Sequence, residues 1–137
     1  MPEKIPFDLA NVRLLQAREC LQDAEVPANS LKTSANRSYY SIFHAMRAVL
    51  ALEGFDSKKH SGIISTFRKN YIKTEIFPLE FSKIIDNAFE VRNDSDYNDF
   101  YVISKEKTVA QIENAKVFLA AVENYIAQIV VKSETGN

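Results

Sequence analysis

Three groups of residues in this chain have types and spacing that could do chemistry. The first is Phe89-Glu90-Val91-Arg92-Asn93-Asp94-Ser95-Asp96-Tyr97. Phe81, Ile84, Ile85 and Ala88 precede it at helical spacing, and Arg92 follows Ala88 by one turn, so its guanidinium projects from an apolar face. A charge there must snorkel, pair with a carboxylate or line a cleft. The second group is Arg37, Tyr40, His44 and Arg47, which recur at steps of three and four and share about an 80° arc of one helix. The third is Lys58-Lys59-His60-Ser61-Gly62 at the expected start of a helix, where free N–H groups favour anions and a solvated basic turn is the plain alternative. A cleft built from Arg92 and the second group would bind a phosphodiester or nucleotide, with imidazole and phenol available to move a proton. An internal ion pair between Arg92 and the following aspartates is the structural alternative, and spacing alone leaves both open. The residues expected from spacing to bind a nucleotide or RNA are therefore Tyr40, His44, Arg47, Lys59, His60 and Arg92.

Other chemistries find little support. The two histidines, His44 and His60, form no metal-ligand spacing with the single cysteine, Cys20, or with each other. Asp94, Asp96 and Asp99 lack the glycine and distal glutamate of a calcium loop. No glycine-rich phosphate loop or dinucleotide fingerprint is present. No metal or cofactor is expected. The net charge of −1 gives no global basic field. No run approaches the ~20 apolar residues of a membrane span, the N-terminus has no secretory pattern, and a lone cysteine suits a reducing compartment, so a cytoplasmic protein is expected.

The elements that must position these groups read as helices. Three glycines and four prolines in 137 residues favour a few long helices over many short strands. The first helix is expected from Asp8, as N-cap, to about Asp23–Glu25, with Leu9, Val12, Leu15 (with Leu14), Cys20 and Leu21 as its stripe. The second, from Ser30 to Glu53, carries the strongest pattern: Leu31, Ala35, Tyr39, Ile42, Met46, Val49 and Leu50, with Asn29 or Ser30 capping and Gly54 closing it. A third is expected over about Lys59–Asn70 and a fourth from Pro78 to Arg92 or a turn further. A polar loop then runs from Asn93 to Tyr101. A fifth helix follows from Ser104 to Val131, buried through Val109, Ile112, Ala115, Leu119, Val122, Ile126 and Ile129, before a frayed tail at 132–137. The fold class is all-α, an up-and-down bundle of four to five antiparallel helices forming one domain over residues 1–137. The surplus of apolar and aromatic residues (nine Phe, six Tyr) suggests a homodimer.

Three blocks carry a family resemblance: Tyr39-Tyr40-Ser41-Ile42-Phe43-His44-Ala45-Met46-Arg47-Ala48-Val49-Leu50; Lys59-His60-Ser61-Gly62-Ile63-Ile64 with Phe67; and Ala88-Phe89-Glu90-Val91-Arg92 with Asp96-Tyr97. In order and spacing, over about residues 36–101, they resemble the HEPN domain family, and within it the small stand-alone UPF0332 proteins. The resemblance implies a dimerising helical bundle and a minimal nucleotidyltransferase as partner, in a two-gene system of toxin–antitoxin type. Many relatives are metal-independent RNases whose motif is an arginine followed four to six residues later by histidine. Arg92 matches that arginine and Asn93 its polar neighbour, so the resemblance adds Asn93 to the expected binding residues, but Tyr97, Asn98 and Asp99 stand where the histidine would be. Tyrosine, with a pKa of ~10, is a poorer base near neutral pH than imidazole. The expected function is thus a nucleotide- or RNA-binding module with a cleft centred on Arg92. The alternatives are an RNase toxin with an altered motif, in which Arg92, Asp96 and Tyr97 are catalytic, and a non-catalytic adaptor bundle. The resemblance further implies nucleotidylation of a tyrosine near the motif, for which Tyr97 and Tyr101 are the candidates.

Overall fold

The computed structural model describes residues 5–135. Five α-helices are present: α1 (Phe7–Ala24), α2 (Leu31–Ala51), α3 (His60–Phe67), α4 (Phe81–Tyr97) and α5 (Lys105–Thr135). The fold is the expected all-α bundle. Helix α2 is its axis and packs against all four others. Ser30 caps it, its side chain accepting a hydrogen bond from Thr33 N–H at 3.1 Å. Gly54, at φ +75°, turns the chain just beyond its end.

The α1–α2 pair is antiparallel and close. Ser41 Oγ donates to the Ala17 carbonyl at 2.9 Å, and Arg13 Nη1 donates to the Arg47 carbonyl at 3.1 Å. Helix α5 runs antiparallel to α1, tied by Arg18–Glu123 at 2.6 Å and Glu25–Lys116 at 3.3 Å. The core lies between α2, α3, α4 and α5. Ile42, Met46, Val49 and Leu50 meet Ile63, Phe67, Ile85, Phe118, Leu119 and Val122 there. Phe118 stacks on Phe81 with centroids 5.1 Å apart and lies 5.7 Å from Phe67. Burying aromatic rings of this size stabilises by about 1.5–3 kcal/mol each.

Several sequence expectations are corrected. Helix α1 starts at Phe7 after Pro6, so Asp8 lies in its first turn and is not its N-cap. Its buried side is Ala10, Arg13, Leu14, Ala17, Cys20 and Ala24, while Leu9, Val12 and Leu15 are exposed. On α2 Leu31 is likewise exposed, and on α5 Val109 is exposed while Thr108 and Gln111 are buried. Helix α3 ends at Phe67 and widens into one π-helical turn, Arg68–Ile72, where Lys73 N–H reaches the Arg68 carbonyl at 2.8 Å. That extra residue turns Tyr71 and Ile72 inward. Helix α4 begins at Phe81, so Pro78 lies in the preceding turn. It takes the further turn beyond Arg92 and runs to Tyr97, so the polar loop begins at Asn98 and not at Asn93. The expected frayed tail is helical through Thr135, and 136–137, like 1–4, lie outside the described residues.

Candidate functional site

The extension of α4 decides the setting of Arg92. Asp96 falls one turn after it, and Arg92 Nε lies 3.2 Å from Asp96 Oδ2. Arg92 Nη2 donates to Tyr40 Oη at 3.1 Å. The guanidinium carbon sits 5.3 Å from the Tyr39 ring centroid and 5.6 Å from that of Tyr40. Arg37 approaches Tyr40 at the same 5.6 Å. Cation–π contacts of this kind contribute about 0.5–2 kcal/mol, more as water is excluded, and the Arg92 side chain is only 17% exposed. Its Nε has an ionic neighbour but no aligned hydrogen bond, so a donor is left over.

His60 enters the same cluster from the first turn of α3. Its ring stacks on Phe43 with centroids 4.1 Å apart and meets Tyr40 edge-on at 5.9 Å. Its Nδ1 is hydrogen-bonded to Tyr39 Oη at 2.9 Å. Burial pushes the Tyr39 phenol up to about 12, against the opposing pull of Arg92, so it stays protonated. Burial first, then the charges of Arg92 and Arg47, hold the His60 imidazole below its ordinary value. A neutral imidazole with Nδ1 engaged offers Nε2 to a ligand. Phe89, one turn before Arg92, closes this side with its ring 6.3 Å from Tyr39.

The remainder of the polar edge of α2 forms a separate group. His44 is tilted over Tyr40 at 6.0 Å, with Nδ1 3.4 Å from Arg47 Nη1. Burial, followed by Arg47, His60, Arg13 and Arg37, drives its pKa down to about 4, so it is neutral near pH 7. Arg47 pairs with Asp56 at 3.8 Å and not with any group near Arg92. Arg13 is buried beneath them, bridging Asp56 at 3.1 Å and the Arg47 carbonyl. One carboxylate thus faces two guanidinium groups.

Of the expected binding residues, the structure brings Tyr40, His60 and Arg92 into one cluster and sets His44 and Arg47 beside it. Lys59 and Asn93 are exposed at the helix ends. Of those expected to be catalytic, Asp96 touches Arg92, whereas Tyr97 is 74% exposed. Tyr101 is half-buried, with Lys107 5.9 Å from its ring centroid. Tyr39 was expected only as a core residue, and Phe43, Arg13 and Asp56 were given no role at the site. One signal was available: a tyrosine within an apolar stripe needs a partner for its hydroxyl. Among the described residues, no group of three or more His, Cys, Asp or Glu is gathered to hold a metal ion, and no helix is long and apolar enough to cross a membrane.

An all-α bundle with an arginine near the end of its fourth helix, laid on the aromatic edge of its second, defines the class. The chain belongs to the HEPN domain family, whose model matches residues 10–125. It is similar to a UPF0332 protein of Thermotoga maritima, 33% identical over 116 residues that cover 83% of this chain and 88% of the relative. It is similar also to the Methanocaldococcus jannaschii protein named "Putative toxin MJ0142", at 31% over 124 residues, 90% of this chain and 82% of that one. A UPF0332 protein of Archaeoglobus fulgidus is 28% identical over 122 residues, 88% of this chain and 97% of the relative.

Proposed function

We propose that this HEPN domain is a nucleotide- or RNA-binding module, the toxin-like half of a two-gene system whose other half is a minimal nucleotidyltransferase. The single observation that carries the binding reading is the setting of Arg92: a guanidinium on two tyrosine rings, beside a neutral imidazole, with one carboxylate as its counter-charge. Such a group attracts a phosphate while the rings offer faces to a base. The toxin-like reading rests on relatives that carry "putative toxin" in their names, and the nucleotidyltransferase partner on the family resemblance. Exposed Leu9, Val12 and Leu15 along α1 support a homodimer. Exposed Tyr97 and half-buried Tyr101 are the residues a nucleotidylating partner would modify. The test is equilibrium binding of labelled oligoribonucleotides and nucleotides to wild type and Arg92→Ala. Binding that requires Arg92 is expected; its absence for every ligand tried refutes the reading. Incubation with the adjacent gene product and ATP, followed by mass spectrometry, tests Tyr97 and Tyr101, which should gain a nucleotidyl mass.

A second reading is favoured by His60. The family motif lacks its histidine here, yet an imidazole stands in the Arg92 cluster from another helix, held through Tyr39. With His60 Nε2 taking the proton of an attacking 2′-hydroxyl and returning it to the 5′-oxygen as the P–O5′ bond breaks, and Arg92 stabilising the charged phosphorane between, metal-independent RNA cleavage to a 2′,3′-cyclic phosphate becomes chemically feasible. Cleavage in EDTA that is lost in both Arg92→Ala and His60→Ala would establish it. Wild type inert under those conditions would leave a non-cleaving module.

A further inference from the structure

Between α3 and α4, bordered by His60 and Phe89, lies a cleft of about 610 Å³. That is within the size range of small-molecule sites. Its walls are apolar: Ile64 on α3, Ile85 and Phe89 on α4. Its ion pair and its imidazole stand at opposite ends. Arg68 and Asp86 form an ion pair at one end, and the Arg68 Nε is buried without a hydrogen-bond partner. His60 stands at the other, where its Nδ1 is held by Tyr39. Ser61 and Ser65 line the α3 side. Phe89 joins this cleft to the arginine: its ring is 6.3 Å from Tyr39, and the Arg92 guanidinium is 5.3 Å from that same ring.

We infer that this cleft seats the base of a nucleoside monophosphate unit whose phosphate is held by Arg92, an assignment that rests on the anion-binding reading of Arg92 above. The chemistry fits a flat ring system better than an aliphatic side chain or a lipid tail. Phe89 supplies an aromatic ring against which a base can stack, and Ile64 and Ile85 supply aliphatic surface for the rest of a planar ligand. Hydrogen-bonding groups at the two ends suit a ring that is apolar on its faces and polar at its edges. A free mononucleotide and one unit of an RNA strand share this chemistry.

Binding to the full-length protein separates the cases. The four nucleoside 5′-monophosphates, ribose 5-phosphate and a short oligoribonucleotide are titrated into wild type, Ser65→Phe and Arg92→Ala, with a two-dimensional amide spectrum of each variant to establish folding. At least one nucleotide is expected to bind ten-fold or more tighter than ribose 5-phosphate. Ser65→Phe, which fills the cleft from its α3 side, should abolish that difference and leave ribose 5-phosphate unaffected. Arg92→Ala should weaken every ligand. A base preference seen only in the oligonucleotide identifies a strand as the source, and one seen in mononucleotides a free nucleotide; either supports the site. Equal affinity for nucleotide and ribose 5-phosphate in the wild type, with no base preference in the oligonucleotide, overturns the base cleft but spares the Arg92 reading. Absence of any Arg92-dependent binding overturns both.

Discussion

Arg92 and Tyr40 stand 52 positions apart in sequence and meet through an Nη2–H···Oη hydrogen bond of 3.1 Å. This bond ties the end of α4 to the middle of α2, and it gives a charged group a fixed place at the edge of the aromatic core. Replacing Arg92 with alanine removes a partly buried hydrogen bond, an ion pair and two cation–π contacts. The expected cost in urea denaturation is about 1–2 kcal/mol. Oligoribonucleotide affinity should fall at least several-fold, and the dependence of log affinity on log salt should lose about one unit of slope. Arg92→Lys keeps the charge but not the planar fork, and should restore only part of the affinity.

Asp96 competes with any ligand for Arg92. An i,i+4 ion pair contributes about 0.3–0.5 kcal/mol, so Asp96→Asn should barely move the thermal midpoint. Freed of its counter-charge, Arg92 should hold phosphate more tightly, and a several-fold gain in oligoribonucleotide affinity is expected by fluorescence anisotropy. A loss of affinity would mean that Asp96 orients the guanidinium more than it occupies it.

His44 makes stability depend on acid. Its pKa drops from an ordinary value near 6.5 to about 4 in the folded chain, so between those values the unfolded chain binds more protons. Its contribution is fully present above about 6.5 and is lost as the pH falls towards about 4, with a slope of at most about 1.4 kcal/mol per pH unit. The urea midpoint should fall over this window in wild type and less steeply in His44→Gln. Parallel curves for the two proteins would exclude His44 as the source.

His60 should report an anion on Arg92. Part of its depression comes from the charges of Arg92 and Arg47. A phosphate bound at Arg92 offsets the larger of these, so the imidazole pKa should rise on ligand addition. By linkage, binding should tighten as the pH falls through the His60 range. Titration of the His60 ring protons by NMR, with and without a nucleotide, measures the shift, and an unchanged pKa would place the anion elsewhere.

Arg13 is the buried charge that joins α1 to α2. Its removal leaves the Arg47 carbonyl without that donor and Asp56 facing one guanidinium in place of two. Because Asp56 is half exposed, water recovers part of the loss, and Arg13→Ala should cost about 1–3 kcal/mol. Arg13→Lys should recover little, since it cannot serve both acceptors with the same planar geometry.

The second helix was the most legible part of the chain. Tyr39, Ile42, Met46 and Val49 lie on one face with the helix period, and all are buried. The first helix was the least. It offers two adjacent stripes, one with the larger apolar side chains Leu9, Val12 and Leu15, the other with Ala10, Leu14 and Ala17. Hydrophobicity favours the first, but the structure buries the second. Small side chains let α1 approach α2 closely enough for Ser41 to bond the Ala17 carbonyl, a gain that no local pattern records. The end of α4 was left open, at Arg92 or a turn further, for a related reason. Asn93, Asp94 and Ser95 are weak helix formers, and Ser95 is nonetheless buried in a helical turn because packing outweighs propensity.

The sequence by itself determined the helices, the face of α2 that is buried, and the presence of an arginine at the end of an apolar stripe, because each depends on residues a few positions apart. Tertiary structure alone decided which groups share a site. His60 meets Tyr39 and Phe43, Phe89 closes a cleft beside them, and Arg47 turns away to Asp56. Those choices come from how whole helices pack, and helical periodicity says nothing about contacts between side chains on different elements.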